Sequence, residues 1–188
     1  MTPDLLSRAA TIIRQGGVVA VSFEHQFGLA ADAMNPQAVD RVLRIKGRSG
    51  PLPIILPSMK DLDEIAELSP DARLLVERFW PGPLTLIVPA KTVFPSGILS
   101  EEGRIGVRLP GPCPAFDLCR EVNVPVTATS ANRKGEEPPV SSEALARSGL
   151  AFLVDAVIPG QAEPGLPSTV VEAANGTVRV IREGAVTI

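Results

Sequence analysis

Apolar positions first recur at helical spacing, at Leu5, Leu6, Ala9, Ile12 and Ile13, behind a Thr2-Pro3 start and ahead of a Gly16-Gly17 stop. That pattern predicts a first helix with threonine as N-cap and proline in the first turn. Residues 18–21 form an unbroken apolar run, a buried strand, which opens onto the polar and aromatic stretch Ser22-Phe23-Glu24-His25-Gln26-Phe27-Gly28-Leu29, read as a loop. A second helix follows from Asn35-Pro36, with Val39, Val42, Leu43 and Ile45 inward and an end at Lys46-Gly47-Arg48. Strands are predicted over residues 53–56, 84–88, 105–109, 124–128 and 152–154, with residues 90–104 irregular. Ser58 and Ser69-Pro70 each cap a short helix, and helices are also expected over 114–122 and 142–148.

The final segment carries the clearest local signal. Two β-rich runs, 169–173 and 177–181, flank Asn175-Gly176, the preferred pair for a type I′ turn, so they should form an antiparallel hairpin. Alternating helices and strands upstream favour parallel pairs. The fold expected is therefore α/β, an open, twisted, mixed parallel and antiparallel sheet with flanking helices and a C-terminal β-hairpin.

Composition narrows the function rather than the fold. At 188 residues, 45% of them hydrophobic, the chain should form one domain, 1–188, with a core that needs no disulfide or metal. Nineteen prolines and 16 glycines without a repeat imply frequent turns. A formal charge of −3 argues against a general nucleic-acid coat. Cys113 and Cys119, the only cysteines, read as buried small hydrophobes in a reducing compartment. No segment approaches the roughly 18 apolar residues of a membrane span, and no leader peptide is recognisable, so a cytoplasmic location is expected.

Several element ends carry groups suited to anions. Lys46 and Arg48 lie at a helix C-terminus, where two cations offset the macrodipole but also suit phosphate, Arg48 as a bidentate donor and Lys46 as a point charge. Thr129-Ser130-Ala131-Asn132 follows an apolar strand, and Arg108 ends another. Hairpin pairing should make Ser168 and Arg182 neighbours. Four separate elements ending in such residues point to an anion pocket, although the chain contains neither G-x-x-x-x-G-K-[ST] nor G-x-G-x-x-G. Trp80 is read as core or as a platform under the sheet, and His25 as a candidate base.

Taken in order, Gly28-Leu29 with Asp32-Ala33, Lys46-Gly47-Arg48, Pro51-Leu52-Pro53, Phe79-Trp80-Pro81-Gly82-Pro83-Leu84-Thr85, Val107-Arg108-Leu109-Pro110, Ala128-Thr129-Ser130-Ala131-Asn132, Pro167-Ser168-Thr169-Val170-Val171 and Ile181-Arg182-Glu183-Gly184 resemble the YrdC-like family of threonylcarbamoyl-adenylate synthases. The resemblance implies an enzyme that joins L-threonine, bicarbonate and ATP into threonylcarbamoyl-AMP and pyrophosphate, for threonylcarbamoyladenosine modification of tRNA. It also implies a large, positively charged concave cavity. Magnesium is expected to accompany ATP, with no metal site of the protein's own, and tRNA or tRNA-modification proteins are further partners it allows. Carried over residue by residue, it implies Lys46 and Arg48 as catalytic, Arg108, Ser130, Asn132, Ser168 and Arg182 as nucleotide-binding, and Glu24, His25 and Phe27 as substrate-binding. The additional C-terminal domain of longer members is expected to be absent.

One segment departs from the family pattern. Where the family has Pro-Thr-Asp/Glu-Thr, one residue, then Tyr-Gly-Leu, this chain reads Ser22 through Leu29 with neither threonine hydroxyl and without the tyrosine hydroxyl. Weak use of threonine follows as an expectation. Two alternatives stand beside the synthase: a paralogue adenylating another small carbamate or carbamoyl donor, and a noncatalytic RNA-binding module of the YciO-like kind.

Overall fold

The computed structural model describes residues 1–188 apart from Arg48 and Asn175. Its N-terminal half runs α1 (Pro3–Arg14), β1 (Val19–Ser22), β2 (Phe27–Ala30), α2 (Pro36–Lys46), β3 (Ile54–Ile55), a 3-10 turn (Met59–Asp61) leading into α3 (Leu62–Ile65), then α4 (Pro70–Phe79) and β4 (Leu84–Pro89). The remainder runs β5 (Arg104–Arg108), α5 (Pro114–Val122), β6 (Val126–Thr127), β7 (Thr129–Ser130), α6 (Ser142–Arg147), a 3-10 turn (Leu150–Leu153), β8 (Ala156–Val157), β9 (Thr169–Ala174) and β10 (Thr177–Arg182). Helix starts follow their predicted caps: Asn35 accepts from the amides of Gln37 and Ala38, and Ser69 from Ala72, each with proline in the first turn.

The strands form two sheets, one of four in the order β7-β2-β1-β8 and one of six in the order β10-β9-β4-β5-β3-β6. The expected mixture of directions is present, with β1–β8, β3–β5 and β4–β9 parallel and the other described pairs antiparallel. The larger core cluster packs Leu29, Val39, Val42, Leu52, Ile54, Leu84, Leu86, Ile105 and Val107. A second gathers α1 and α5 over β1, through Ala10, Ile13, Val19, Val21, Leu118 and Cys119. Trp80 belongs to the larger cluster and donates from Nε1 to Leu84 O at 2.7 Å, so its one polar group is satisfied inside the core.

Two readings change. Residues 27–30 are not loop but β2, a hairpin partner of β1 in the register Ser22↔Phe27, because a tight turn closes from Phe23 N to Gln26 O. The strand expected at 152–154 is the 3-10 turn, with Phe152 88% exposed, and the strand lies further on at Ala156–Val157, parallel to β1. A three-residue apolar run does not distinguish the two structures. The hairpin β9–β10 forms as expected, with Gly176 at φ +71°; the other half of the turn pair, Asn175, lies outside the described residues.

Candidate functional site

Alternation along the six-stranded sheet builds the floor of a cavity of about 740 Å³. Successive strand residues face opposite sides, so Thr85 and Ile87 of β4, Arg104, Gly106 and Arg108 of β5, and Val170 and Glu172 of β9 all meet one space. The other sheet contributes Thr129 and Ser130 of β7, and the β1–β2 turn contributes Phe23, Glu24, His25 and Gln26. Among the described residues, seven cationic side chains and three carboxylates line it. The surplus of positive charge is local, since the whole chain is at −3, and a concave surface of one sign concentrates anions.

Lys46, the last residue of α2, is only 4% exposed. Its Nζ donates to Asn132 O at 2.9 Å and Asn132 Oδ1 at 3.3 Å, and contacts Ser130 through both the carbonyl and the hydroxyl. The lysine therefore organises the turn after β7 as well as bringing positive charge to the cavity. Ser130 Oγ donates to Asn132 Oδ1, and Asn132 Nδ2 donates to Glu136 O, completing a small polar network. On the opposite wall, Arg182 donates to Ser168 O at 2.7 Å and to its hydroxyl at 3.2 Å. The Ser168 hydroxyl lies 3.0 Å from that of Thr85. Burial, and then the positive charge of Arg108, hold the Arg182 guanidinium below its ordinary pKa; both effects would be relieved by an anion between them.

Arg108 behaves differently. Its Nε donates to Gly82 O at 2.9 Å and its Nη2 to Glu24 Oε1, which also accepts from Gly111 N at 3.1 Å. Burial lowers its pKa and the adjacent Glu24 opposes the shift. Much of the guanidinium is thus engaged inside the protein, and its clearest effect is to fix Glu24. At the far end, Glu172 joins Arg104 through one oxygen and Arg179, at 2.8 Å, through the other. Arg104, Glu172 and Arg179 were not singled out in the sequence, and Thr85 only as the end of a family segment, although their period-two placement on adjacent strands was the signal available.

The structure thus brings Glu24, His25, Lys46, Arg108, Ser130, Asn132, Ser168 and Arg182 to one cavity. Arg48 lies outside the described residues. Phe27 is a correction: it is fully buried in the larger core and does not line the cavity, because β2 packs its ring, with that of Leu29 two residues on, into that core. His25 Nδ1 lies 3.1 Å from Glu163 O, joining the β1–β2 turn to the chain that leads to Ser168. Cys113 and Cys119 are buried, as expected, and burial pushes the Cys113 thiol up to about 12.

The model of the Sua5, YciO and YrdC proteins, described as telomere recombination, matches residues 11–184. The chain belongs to this family. It is 34% identical over 179 residues to the threonylcarbamoyl-AMP synthase of Pyrococcus abyssi, covering 94% of this chain and 53% of that protein. The threonylcarbamoyl-AMP synthase of Bacillus subtilis is 32% identical over 186 residues, covering 97% and 54%. The chain spans about half the length of these curated relatives. A crystal structure of P. abyssi Sua5 complexed with L-threonine superposes with a TM-score of 0.88 at 34% identity, over 95% of this chain and 54% of that one. Among the described residues, no helix is long and apolar enough to cross a membrane.

Proposed function

We propose that the cavity converts L-threonine, bicarbonate and ATP into threonylcarbamoyl-AMP, pyrophosphate and water. The observation that carries this is the pairing of two donor walls, Lys46 with Ser130 and Asn132 on one side and Ser168 with Arg182 on the other, in a cationic cavity of a family member. Attack of a carbamate oxygen on the α-phosphorus, with loss of pyrophosphate, passes through a state of dispersed negative charge. Fixed cations and hydroxyl or amide donors stabilise that charge and keep the reacting groups in line, without a protein nucleophile. Arg48 is assigned to the same work by its chemistry as a planar bidentate donor.

The Glu24 and His25 end of the cavity is assigned to the acid substrate. Among the described residues, no three of His, Cys, Asp and Glu lie together as a metal cage, and on this reading magnesium arrives on the triphosphate. The same reading makes the product a donor for tRNA modification in the cytoplasm. The test is pyrophosphate release from ATP and bicarbonate with and without threonine: threonine-dependent release is expected, and release that ignores threonine would overturn the assignment of substrate.

A further inference from the structure

Thr169 opens β9 on the side of the sheet away from the cavity. Val170 and Glu172 line the cavity, so by alternation Thr169 and Val171 face the other way, and Thr169 is 1% exposed. A buried hydroxyl needs partners, and one residue of the C-terminal tail supplies both. Thr169 Oγ1 accepts from Val186 N at 3.0 Å and donates to Val186 O at 2.6 Å.

The tail is thereby laid along the segment that carries Ser168. Ala185 N donates to Pro167 O at 2.9 Å, and the Val186 side chain packs against the larger core. Gly184 lies so close to the same segment that a Cβ would stand 2.3 Å from Pro167 O and 2.7 Å from Ser168 C. Two residues earlier, Arg182 donates to both Ser168 oxygens. Residues 167–169 and 182–186 therefore form one unit, fastened by Arg182 at one end and by Thr169 at the other. Thr169 N in turn donates to Pro83 O at 3.0 Å, which ties the unit to the entry of β4, and the Thr85 hydroxyl of that strand lies against the Ser168 hydroxyl.

We infer that Thr169 is a positioning residue for the Ser168–Arg182 wall: by clamping Val186 it holds the tail down, and the tail keeps the two donors of the wall in register. Among the described residues, none after Arg182 lines the cavity, so the tail acts on a ligand only through that wall. The inference rests on the proposed reading of the wall as part of a nucleotide site, and it adds what sets the geometry of that wall. Donors already held in place lose little freedom when an anion arrives, whereas a wall that must first be ordered binds more weakly.

The test is calorimetric titration of a nonhydrolysable ATP analogue, with magnesium, into the intact chain and its variants. Thr169→Val keeps the shape, removes the hydroxyl and leaves the Val186 backbone without its partner, and it should weaken binding at least about tenfold. Thr169→Ser keeps the hydroxyl and should stay within about threefold of the native protein. Val122→Ala, a truncation in the second core cluster, reports what lost stability alone does and should stay within about twofold. Native affinity in Thr169→Val, equal losses in the serine and valine variants, or a loss in Val122→Ala that matches Thr169→Val would each overturn the inference. Should Thr169→Val fail to fold, Gly184→Ala pushes the tail off the same peptide and carries the same expectation, and native affinity in that variant would overturn the inference equally. A native protein that binds no analogue would defeat the nucleotide reading and this inference together; native binding indifferent to these variants would defeat this inference alone.

Discussion

The ring of Phe23 is packed directly on Gly28: a Cβ at position 28 would stand 2.3 Å from Phe23 Cε2 and 2.9 Å from Thr129 O. The aromatic side chain that replaces a family threonine is therefore a wall of the β1–β2 hairpin as well as of the cavity. Gly28→Ala should lower stability by about 1 to 3 kcal/mol, because the Thr129 carbonyl belongs to β7 and yields little. Urea unfolding would measure it, and an unchanged midpoint would show that the ring and strand move aside freely.

Restoring the family pattern is consequently not a surface edit. Phe23→Thr removes a ring 8% exposed in the second core cluster, and Phe27→Tyr forces a hydroxyl into a fully buried site. The triple variant with His25→Thr should lose about 3 kcal/mol or more. Any gain in threonine affinity should come from positions 23 and 25 and none from 27. Threonine titration of Phe27→Tyr alone, expected to match the native protein, checks this directly.

Much of this site was legible in the sequence, and the reason is local. Caps, glycine stops and the hairpin are specified by neighbouring residues, so the elements carrying Lys46, Ser130, Ser168 and Arg182 could be placed in advance, and the Ser168–Arg182 contact follows from hairpin register. The Glu24–Arg108 bond, the Lys46 network and the Glu172 bridge join residues from 68 to 86 positions apart. No local pattern encodes such pairs. The placement of Phe27 was not legible because residues 22–29 read as one loop, whereas β2 starts at 27 and packs that ring into the core.

Lys46→Met should impair folding and activity together. It strands the Ser130 and Asn132 carbonyls that Nζ serves, at a cost of about 1 to 3 kcal/mol for a buried acceptor left unsatisfied. Denaturation and pyrophosphate release should both fall, and a stable, inactive variant would mean that the lysine acts on substrate alone.

Arg182→Gln should separate the two properties. The residue is exposed as a whole although its guanidinium is partly desolvated, and the Ser168 oxygens it serves can turn to water, so stability should change by about 1 kcal/mol or less. Loss of a charge-assisted phosphate contact worth about 1.5 to 3 kcal/mol should weaken ATP binding roughly 10- to 150-fold. Calorimetry and thermal melts on the same sample would show both.

Acid should act on the Glu172 bridge. The hydrogen bond from Arg179, followed by that from Arg104, holds the Glu172 carboxyl below its ordinary value of 4.5. A carboxyl whose folded-state pKa is lowered stabilises the protein above the unfolded value, and that contribution is lost as pH falls through the folded one. The stability advantage of the native chain over Glu172→Gln should be level above about pH 5 and shrink below 4.5, as followed by melts across that range.

The cavity draws its lining from Phe23 near one end of the chain to Arg182 near the other. Thr85 and Val170, paired in parallel across β4 and β9, close one of these long loops. On the proposed reading, a growing polypeptide has no complete nucleotide site until β9 and β10 are in place, and any opening of that hairpin removes one wall. Occupancy by nucleotide would feed back on the sheet by mass action, since a ligand that binds only the assembled form adds RT ln(1 + [L]/Kd) to its stability. Hydrogen exchange at Thr169 and Val180 should slow as ATP is added, so that β9 and β10 report whether the cavity is loaded.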